Sequence, residues 1–400
     1  MRNFSDWLQA YVNYASFTEA PRRMHFFSGA VAVAGALRRK VWIEQYAFQW
    51  YANLYVLLVA PPAIVSKSTT ADLAIKLLRR VPGIKFGPDA ITWQALVTSF
   101  AASAESFQCG EEWIKMSAIT SCATELGNLL DPRDRQLVTN LITLYDAREL
   151  FEKVTKMSGS DVVQNAWFNL IACTTPSWIL ENVPEGMIGG GLSSRILYVY
   201  ADTKEKLVDW PADAVPPGIT DTAFRLVQDL EHISMLAGPF SVTQEVKRWN
   251  KDWYAKHFNG SSKLADERFG GYISRKQTHI YKLAMIISAA QRDTLVIELG
   301  DVIAANDMVT DLEADMPKVF ALVGKTPETR QADRFIEFVR RRQLVSYEEA
   351  YRYLHAFFAD PKQIEGVMLA AVRANYIDYK RDKDRIVAFI WKGKDEGRPV

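Results

Sequence analysis

Cysteine is scarce in this chain. The 400 residues include only Cys109, Cys122 and Cys173, and no C-x-x-C pair occurs. This spacing excludes a zinc knuckle and gives no disulfide framework, which fits a reducing cytoplasm. The five histidines form no metal-ligand spacing, and there is no G-x-S-x-G motif of a serine hydrolase.

Excess charge and long hydrophobic runs are also lacking. Lysine plus arginine (48) nearly balance aspartate plus glutamate (47), so the net charge is +1. Any contact with nucleic acid would therefore need a local patch or a channel. The most apolar stretches, Phe26–Leu37 and Leu54–Val65, are too short to span a bilayer. The N-terminus has no signal-peptide h-region, so we expect a cytoplasmic protein without membrane contact.

Composition changes along the chain predict four regions. Residues 1–45 look helical, and residues 46–208 alternate strands with helices, which is typical of an α/β domain. After a proline-rich loop at 209–218, residues 219–323 read as nearly all helix. In residues 330–400, three helices precede two short strands at 377–379 and 386–390, the order found in a winged helix.

The segment from Leu54 to Thr70 is the most informative one. It reads as a buried strand, a tight loop and a helix start that contains Lys67-Ser68. A P-loop has this order: loop N–H groups cradle phosphates, the lysine reaches the β and γ phosphates, and the hydroxyl binds Mg²⁺. The predicted ATP-binding residues are Pro62, Ala63, Ile64, Val65, Ser66, Lys67, Ser68 and Thr69, with Ser68 on the metal.

Glycine is missing from this loop. A P-loop has glycine six residues and one residue before the lysine, where this chain has Pro61 and Ser66, and Ala63 replaces a further glycine. Proline has no N–H to donate, and a non-glycine residue at positive φ costs about 1–2 kcal/mol. The alternative interpretation is an ordinary helix start after a core strand.

Candidate catalytic groups follow two later strands. Glu125, after the predicted strand Trp113–Cys122, would order Mg²⁺ or activate water, although Thr124 stands where an aspartate is usual. A helix-capping role is the alternative for Glu125. Thr174 or Thr175, after the strand Trp167–Cys173, would sense the γ-phosphate, and a threonine before proline is also a common structural feature.

Two arginines are candidates for contacting phosphate. Arg195 follows a glycine-rich loop and precedes the strand Ile196–Tyr200. An arginine at a domain edge can stabilise the transition state in a neighbouring subunit, and the alternative is a surface salt bridge. Arg275 lies at the start of a long helix and would contact phosphate from the helical region. The alternative is that Arg275 has no functional role.

Candidate DNA contacts lie in two places. Lys153 and Lys156 fall in a predicted hairpin over residues 150–166, where they would touch DNA phosphates or form a solvated face. In the C-terminal region the candidates are Arg373, Lys380, Arg381 and Lys383. Interspersed aspartates dilute that cluster, so a protein–protein role is the alternative.

These motifs resemble the DUF3987 family of phage and mobile-element proteins over roughly residues 5–320. The resemblance rests on Asn-Leu-Tyr-Val-Leu-Leu-Val-Ala-Pro-Pro running into Lys-Ser-Thr, on Thr-Glu-Leu-Gly-Asn-Leu-Leu, on Ala-Cys-Thr-Thr-Pro-Ser-Trp and on Gly-Gly-Leu-Ser-Ser-Arg-Ile-Leu-Tyr-Val-Tyr. The order of P-loop, carboxylate, hairpin, sensor, arginine, helical lid and winged helix is also similar to AAA+ ring helicases of the superfamily 3 and MCM type.

The resemblance implies an AAA+-like P-loop core with N-terminal helices, an all-α lid and a C-terminal winged helix. It implies ATP and Mg²⁺, a hexameric ring with ATP sites between subunits, and single-stranded DNA in the pore. We therefore expect a DNA-dependent ATPase that serves replication, with other replication proteins, in the cytoplasm of a bacterial host. Two alternatives remain open: a scaffold that does not hydrolyse ATP, and an origin-binding initiator that contacts duplex DNA through the winged helix.

Overall fold

A mixed five-stranded sheet forms the centre of the larger part of the chain. The computed structural model describes residues 2–88, 93–147, 150–155, 159–259, 264, 266–320, 323, 327–383 and 385–392. Contacts divide the chain into two units, Met1–Ala321 and Leu322–Val400.

The first unit contains the helices α1 (Trp7–Tyr14), α2 (Arg22–Leu37), α3 (Lys67–Leu78), α4 (Trp93–Ala102), α5 (Leu126–Leu129), α6 (Arg135–Tyr145), α7 (Pro176–Asn182), α8 (Glu185–Ile188), α9 (Ile219–Ile233), α10 (Gln244–Asn259), α11 (Gly270–Gln291), α12 (Leu299–Glu313) and α13 (Met316–Phe320). Its strands are β1 (Val41–Glu44), β2 (Gln49–Tyr51), β3 (Tyr55–Val59), β4 (Ala104–Cys109), β5 (Glu112–Ala123), β6 (Leu150–Thr155), β7 (Gly159–Gln164), β8 (Ala166–Thr174), β9 (Leu197–Tyr200), β10 (Gly238–Pro239), β11 (Ser241–Val242) and β12 (Val296–Ile297).

The strand order of the central sheet is β4-β5-β8-β3-β9. β3 is parallel to β8 and β9, β5 is parallel to β8, and only β4 is antiparallel to its neighbour. Val59 pairs with Thr174, and Ala123 pairs with Ala172. The carboxyl ends of β3, β5 and β8 therefore meet at one edge, which we call the carboxyl edge; the opposite one is the amino edge. The α/β class is confirmed.

Helices cover the sheet on both faces. Every residue of β3 and β8 is buried, as is typical of parallel strands that lie between layers. α2 packs closely on α3: a Cβ on Gly35 would lie 2.4 Å from Leu78 Cδ2, so any larger residue would require the Leu78 side chain to move. Asn169 of β8 donates to the Val31 carbonyl of α2 at 2.9 Å and ties this helix to the sheet.

The prediction that residues 1–45 are helical is right for α1 and α2 but wrong for Val41–Glu44. α2 ends at Arg38, which has a positive φ of 54°. The following Val-Trp-Ile is rich in β-branched and aromatic side chains, which favour strands. β1 pairs antiparallel with β2 and parallel with β10.

Residues 219–323 consist mainly of α9–α13, as expected, and they belong to the same unit as the N-terminal helices. The Trp7 indole donates to the Leu226 carbonyl of α9 at 2.8 Å, and Asp229 accepts from the backbone of Asn3 and Phe4. None of the described helices is both long and apolar enough to cross a bilayer.

The second unit contains three helices and a three-stranded antiparallel sheet. Its elements are α14 (Pro327–Arg342), β13 (Leu344–Ser346), α15 (Tyr347–His355), α16 (Pro361–Arg373), β14 (Ile377–Asp382) and β15 (Arg385–Trp391), with strand order β13-β15-β14. The rings of Phe335 and Phe389 pack edge to face in its core, with centroids 5.3 Å apart. The capping box of Ser346 and Glu349 starts α15.

Candidate functional site

The loop after β3 leads directly into α3. β3 ends at Val59, Ser66 is the N-cap residue, and Lys67 is the first residue of the helix. Ala63, in the middle of the loop, has a φ of +61°, in the left-handed region. This is a position where glycine would be unstrained, so the absence of glycine carries a conformational cost.

The Lys67 side chain lies at the carboxyl edge. Its Nζ donates to the Ala60 carbonyl at 2.9 Å, and burial lowers its pKa from the usual value while a Cys173 thiolate would raise it. The Cys173 side chain at the end of β8 is thus a neighbour of the ammonium group. Ser68 and Thr69 are exposed in the first turn of α3. No acidic side chain stands in that turn, so the positive end of the helix dipole is not neutralised there.

The two threonines at the end of β8 differ in their hydroxyl partners. Thr175 is the N-cap of α7, where its Oγ1 accepts from the Trp178 N–H at 3.1 Å and contacts the Ser177 hydroxyl at 2.9 Å. Thr174 is 6% exposed, and its buried Oγ1 has no hydrogen-bond partner among the described residues. Its backbone carbonyl lies 3.4 Å from the Ala60 N–H. Of the two candidates, Thr174 is therefore the one whose hydroxyl is not already used in a described hydrogen bond.

Glu125 lies two residues beyond β5 at the same edge. It is exposed and occupies the N-cap position of α5, yet its side chain makes no capping hydrogen bond. The backbone carbonyl of Glu125 accepts from Asn128 at 3.1 Å. The Glu125 carboxylate therefore does not cap α5, which was the alternative interpretation of this residue.

Arg195 lies at the amino edge, directly before β9. It is 4% exposed, and its guanidinium makes two hydrogen bonds to the Asp146 carboxylate, of 2.6 and 3.2 Å. It also donates to the Gly191 carbonyl at 2.7 Å. This location separates Arg195 from Lys67 by the length of β3, roughly 15 Å at 3.3 Å per residue. In place of the surface salt bridge considered above, the structure has an ion pair with a buried guanidinium and a carboxylate that is one-third exposed.

Arg275 lies beside this pair rather than beside Lys67. Its Nε donates to the Ser194 hydroxyl at 3.1 Å, and burial together with the nearby Arg195 lowers its pKa. About two turns further along α11, the Lys282 ammonium donates to Asn53 Oδ1 at 2.6 Å and lies 4.0 Å from the centre of the Tyr145 ring. Burial lowers the pKa of Lys282 to about 7.

Sequence reasoning missed Lys282, Asn53 and His279. His279 contacts the Ser194 carbonyl at 3.0 Å and the Tyr145 hydroxyl at 3.2 Å, and burial lowers its pKa to about 3. A signal was present, since polar residues interrupt the apolar run of α11 at helical spacing. Their partners come from other parts of the chain, and no local pattern identifies them.

The predicted DNA contacts lie on strands and an exposed helix end. β6 and β7 pair antiparallel, as expected for a hairpin in this region. Lys153 belongs to β6, opposite Asp161, and Lys156 lies outside the described residues. In the second unit, the side chains of Arg373, Lys380, Arg381 and Lys383 are all exposed. The Arg381 guanidinium covers the Tyr379 ring at 4.9 Å.

Comparisons with known proteins leave the family open. No family model matches the chain, and no curated protein sequence matches it. Across the described residues, no three histidine, cysteine or carboxylate side chains cluster as a metal site would require.

Proposed function

We propose that the chain is an ATP-dependent DNA translocase of the P-loop class, with the ATP site at the carboxyl edge. Lys67 and Thr174 support this proposal because they lie at the same edge: Thr174 ends β8, and Lys67 begins the helix that follows the adjacent parallel strand β3. Ligands of open α/β sheets bind outside the carboxyl ends of the strands. The start of α3 adds the positive end of a helix dipole, which is suited to phosphate.

The single observation that carries the proposal is the buried hydroxyl of Thr174. Buried polar groups in proteins nearly always have a partner, and Thr174 Oγ1 has none among the described residues. It lies at the end of β8, between the strand that leads to Lys67 and the strand that leads to Glu125. A phosphate oxygen or the attacking water at this edge would supply that partner.

The residues would share the reaction as follows. Lys67 would exchange its bond to the Ala60 carbonyl for a phosphate oxygen, and the exposed Ser68 hydroxyl would hold Mg²⁺. The metal would neutralise charge that develops on the phosphates. Glu125 would orient the attacking water, and Thr174 would fix its position. A role for Arg195 requires a neighbouring subunit, since the two residues of its own chain that hold it lie at the amino edge.

ATP hydrolysis by the full chain, with Mg²⁺ and with or without single-stranded DNA, tests the proposal. We expect a rate that rises with DNA and is lost in Lys67→Ala. The matched control is Lys76→Ala, an exposed lysine of the same helix with no described ion pair. Equal hydrolysis by wild type and Lys67→Ala would refute the proposed site.

The rest of the predicted architecture belongs to the same proposal. The order of helices and strands in Leu322–Val400 supports a winged helix that contacts DNA through Arg373, Lys380, Arg381 and Lys383. Lys153 in the β6–β7 hairpin would contact the strand in a hexameric ring. Loss of single-stranded DNA binding by Lys153→Ala, with the ring intact by sedimentation, is the expected result; unchanged affinity would contradict that role.

The loop itself favours a second candidate, a nucleotide-dependent scaffold without turnover. Pro61 and Pro62 offer no N–H groups, and Ala63 is strained at φ +61°. Such a protein would bind ATP to hold a replication assembly together. ATP-dependent oligomerisation without phosphate release, abolished by Lys67→Ala, would identify the scaffold and exclude the motor.

A further inference from the structure

A cavity of about 640 Å³ opens at the amino edge, away from the proposed ATP site. It lies between the β1–β2 hairpin, the turn after α6 and the middle of α11. Its lining combines aromatic rings from the hairpin with cationic side chains from two parts of the chain, the segment before β1 and α11: Tyr46, Phe48, Trp50 and Tyr51 with Arg39, Arg275 and Lys282. The volume is that of a small-molecule site.

Positive charge exceeds negative charge around this cavity. Two carboxylates line it, those of Glu44 and Asp146, and Asp146 is already paired with Arg195. Arg275 has a described hydrogen bond only through Nε, so its two terminal nitrogens have no partner within the described residues. A half-buried guanidinium with free donors is well suited to an anion such as phosphate.

The hairpin tip exposes two aromatic rings, and of these only Phe48 has a described ring contact, to Trp50 with centroids 5.6 Å apart. Tyr46 is fully exposed, and its φ of +58° lies in the left-handed region; Phe48 is 53% exposed. Behind them, the Trp50 ring stacks on Tyr281 with centroids 5.3 Å apart, which holds the hairpin against α11. Rigid aromatic rings beside cations form the usual platform for stacking of unpaired bases.

The hairpin also borders a second cavity, of about 450 Å³. Phe48 and Trp50 line both cavities, and the second one adds Lys247 of α10. A site for a single free nucleotide needs one cavity. Two cavities that share an aromatic wall, with a cation in each, fit consecutive nucleotides of a strand.

We propose that the β1–β2 hairpin and its two flanking cavities bind single-stranded nucleic acid, with bases stacked on Tyr46 and Phe48 and a phosphate held by Arg275. This site lies at the opposite edge from Lys67 and differs from the β6–β7 hairpin and the C-terminal unit. The inference rests on the proposed function for its role in strand movement, but binding itself requires no hydrolysis.

The test is fluorescence anisotropy of a labelled single-stranded oligonucleotide, about 20 nucleotides long, titrated with the full chain without ATP. We expect the double variant Tyr46→Ser/Phe48→Ser to bind about 10- to 100-fold more weakly. Phe224→Ser, which removes a ring of similar exposure (51%) from α9, is the control that keeps wild-type affinity. Equal affinity of the hairpin variant and wild type, or no binding by wild type, overturns the inference.

Salt dependence and competition identify the ligand. In Arg275→Gln, the slope of log affinity against log salt concentration should fall by about 0.7, the value for one phosphate contact on a single strand. Displacement of the labelled strand by free dAMP as effective as by unlabelled strand would assign the site to a mononucleotide and overturn the inference.

Hydrolysis assays separate this inference from the proposed function. The hairpin variant should keep the DNA-independent ATPase rate and lose the stimulation by DNA. Strand binding that depends on the hairpin in a protein without ATPase activity would support the inference and refute the motor. If DNA stimulated hydrolysis by the hairpin variant as much as by wild type, the motor would be supported and the inference about the hairpin would be refuted.

Discussion

Arg195 and Asp146 form a bidentate ion pair inside their own chain, although 49 residues separate them in sequence. The arginine is buried and the carboxylate is one-third exposed. Removal of Asp146 would therefore leave the buried guanidinium charge uncompensated. The pair therefore restricts Arg195 to two possible roles: it holds the amino edge together, or it shares its guanidinium with a neighbouring subunit.

Mixed oligomers distinguish these roles. We expect Arg195→Ala to bind ATP and to lose turnover, as Lys67→Ala does. If Arg195 acts in trans, a mixture of the two variants contains interfaces with an intact lysine and an intact arginine, so part of the activity returns. No recovery in mixtures that assemble normally would assign Arg195 a purely structural role. Asp146→Asn, which keeps the shape of the side chain, reports the cost of losing the pair alone.

Thr174→Val and Thr175→Val should have opposite effects. Thr174 has a buried hydroxyl without a described partner, so its removal should change the free energy of unfolding by less than about 0.5 kcal/mol. The same change should lower turnover about 100-fold, because an oriented hydrogen-bonding group is lost. Thr175→Val should cost about 1 kcal/mol through loss of the α7 cap and leave turnover intact.

Denaturant unfolding and ATPase rates of the two variants check this prediction. The neighbouring positions and identical substitution make each variant the control of the other. A turnover defect confined to Thr175→Val would exchange the roles of the two threonines, and equal effects on turnover would mean that neither hydroxyl has a specific part in the reaction.

Much of the central sheet is evident in the sequence because its strands are continuous apolar runs. The expected strand Trp167–Cys173 appears as β8 (Ala166–Thr174), and the expected strand Trp113–Cys122 lies within β5 (Glu112–Ala123). Edge strand β4 was missed. Its residues Ala-Glu-Ser-Phe-Gln-Cys alternate between exposed and partly buried, so the hydrophobic signal of a strand is weak there.

The remaining differences between the predicted and the observed site concern which residues pair with each other. Sequence spacing placed Arg195 at a domain edge, but it could not show that Asp146 would accept its guanidinium. In the same way, Lys282 reads as one cation on a helix until the fold brings Asn53 to its ammonium group. Pairs of this kind form between distant segments and depend on the register of the sheet, which local periodicity does not specify.

Ala63→Gly should stabilise the protein and test whether the loop limits activity. The left-handed conformation of Ala63 costs about 1–2 kcal/mol relative to glycine, and the greater freedom of glycine in the unfolded chain offsets part of this gain. We expect a net increase of about 0.5–1 kcal/mol in the free energy of unfolding. The ATPase rate should rise in parallel if loop strain restricts phosphate binding.

The control is Ala102→Gly, at the exposed end of α4, where glycine should not stabilise. Destabilisation by Ala63→Gly would contradict the strained loop. A stabilised protein with an unchanged, negligible ATPase rate would favour the scaffold over the motor.

Lys282 should make stability depend on pH in the neutral to alkaline range. Burial lowers its pKa from 10.5 to about 7, so above pH 7 the folded state has released a proton that the unfolded state still holds. Because the unfolded state binds more protons there, the free energy of unfolding should rise from pH 7 to pH 9. Lys40, with a pKa lowered to about 8 by burial, contributes to the upper part of this rise.

Urea unfolding at intervals between pH 7 and pH 9 measures this slope. Lys282→Met keeps an unbranched side chain and removes the titrating group, so the rise should be smaller than in wild type and should begin nearer pH 8, where Lys40 remains. Lys76→Met, an exposed position, should keep the wild-type slope. Parallel curves for wild type and Lys282→Met would show that Lys282 stays charged in the folded protein, with Asn53 and the Tyr145 ring sufficient to stabilise an ammonium ion beside the cavity.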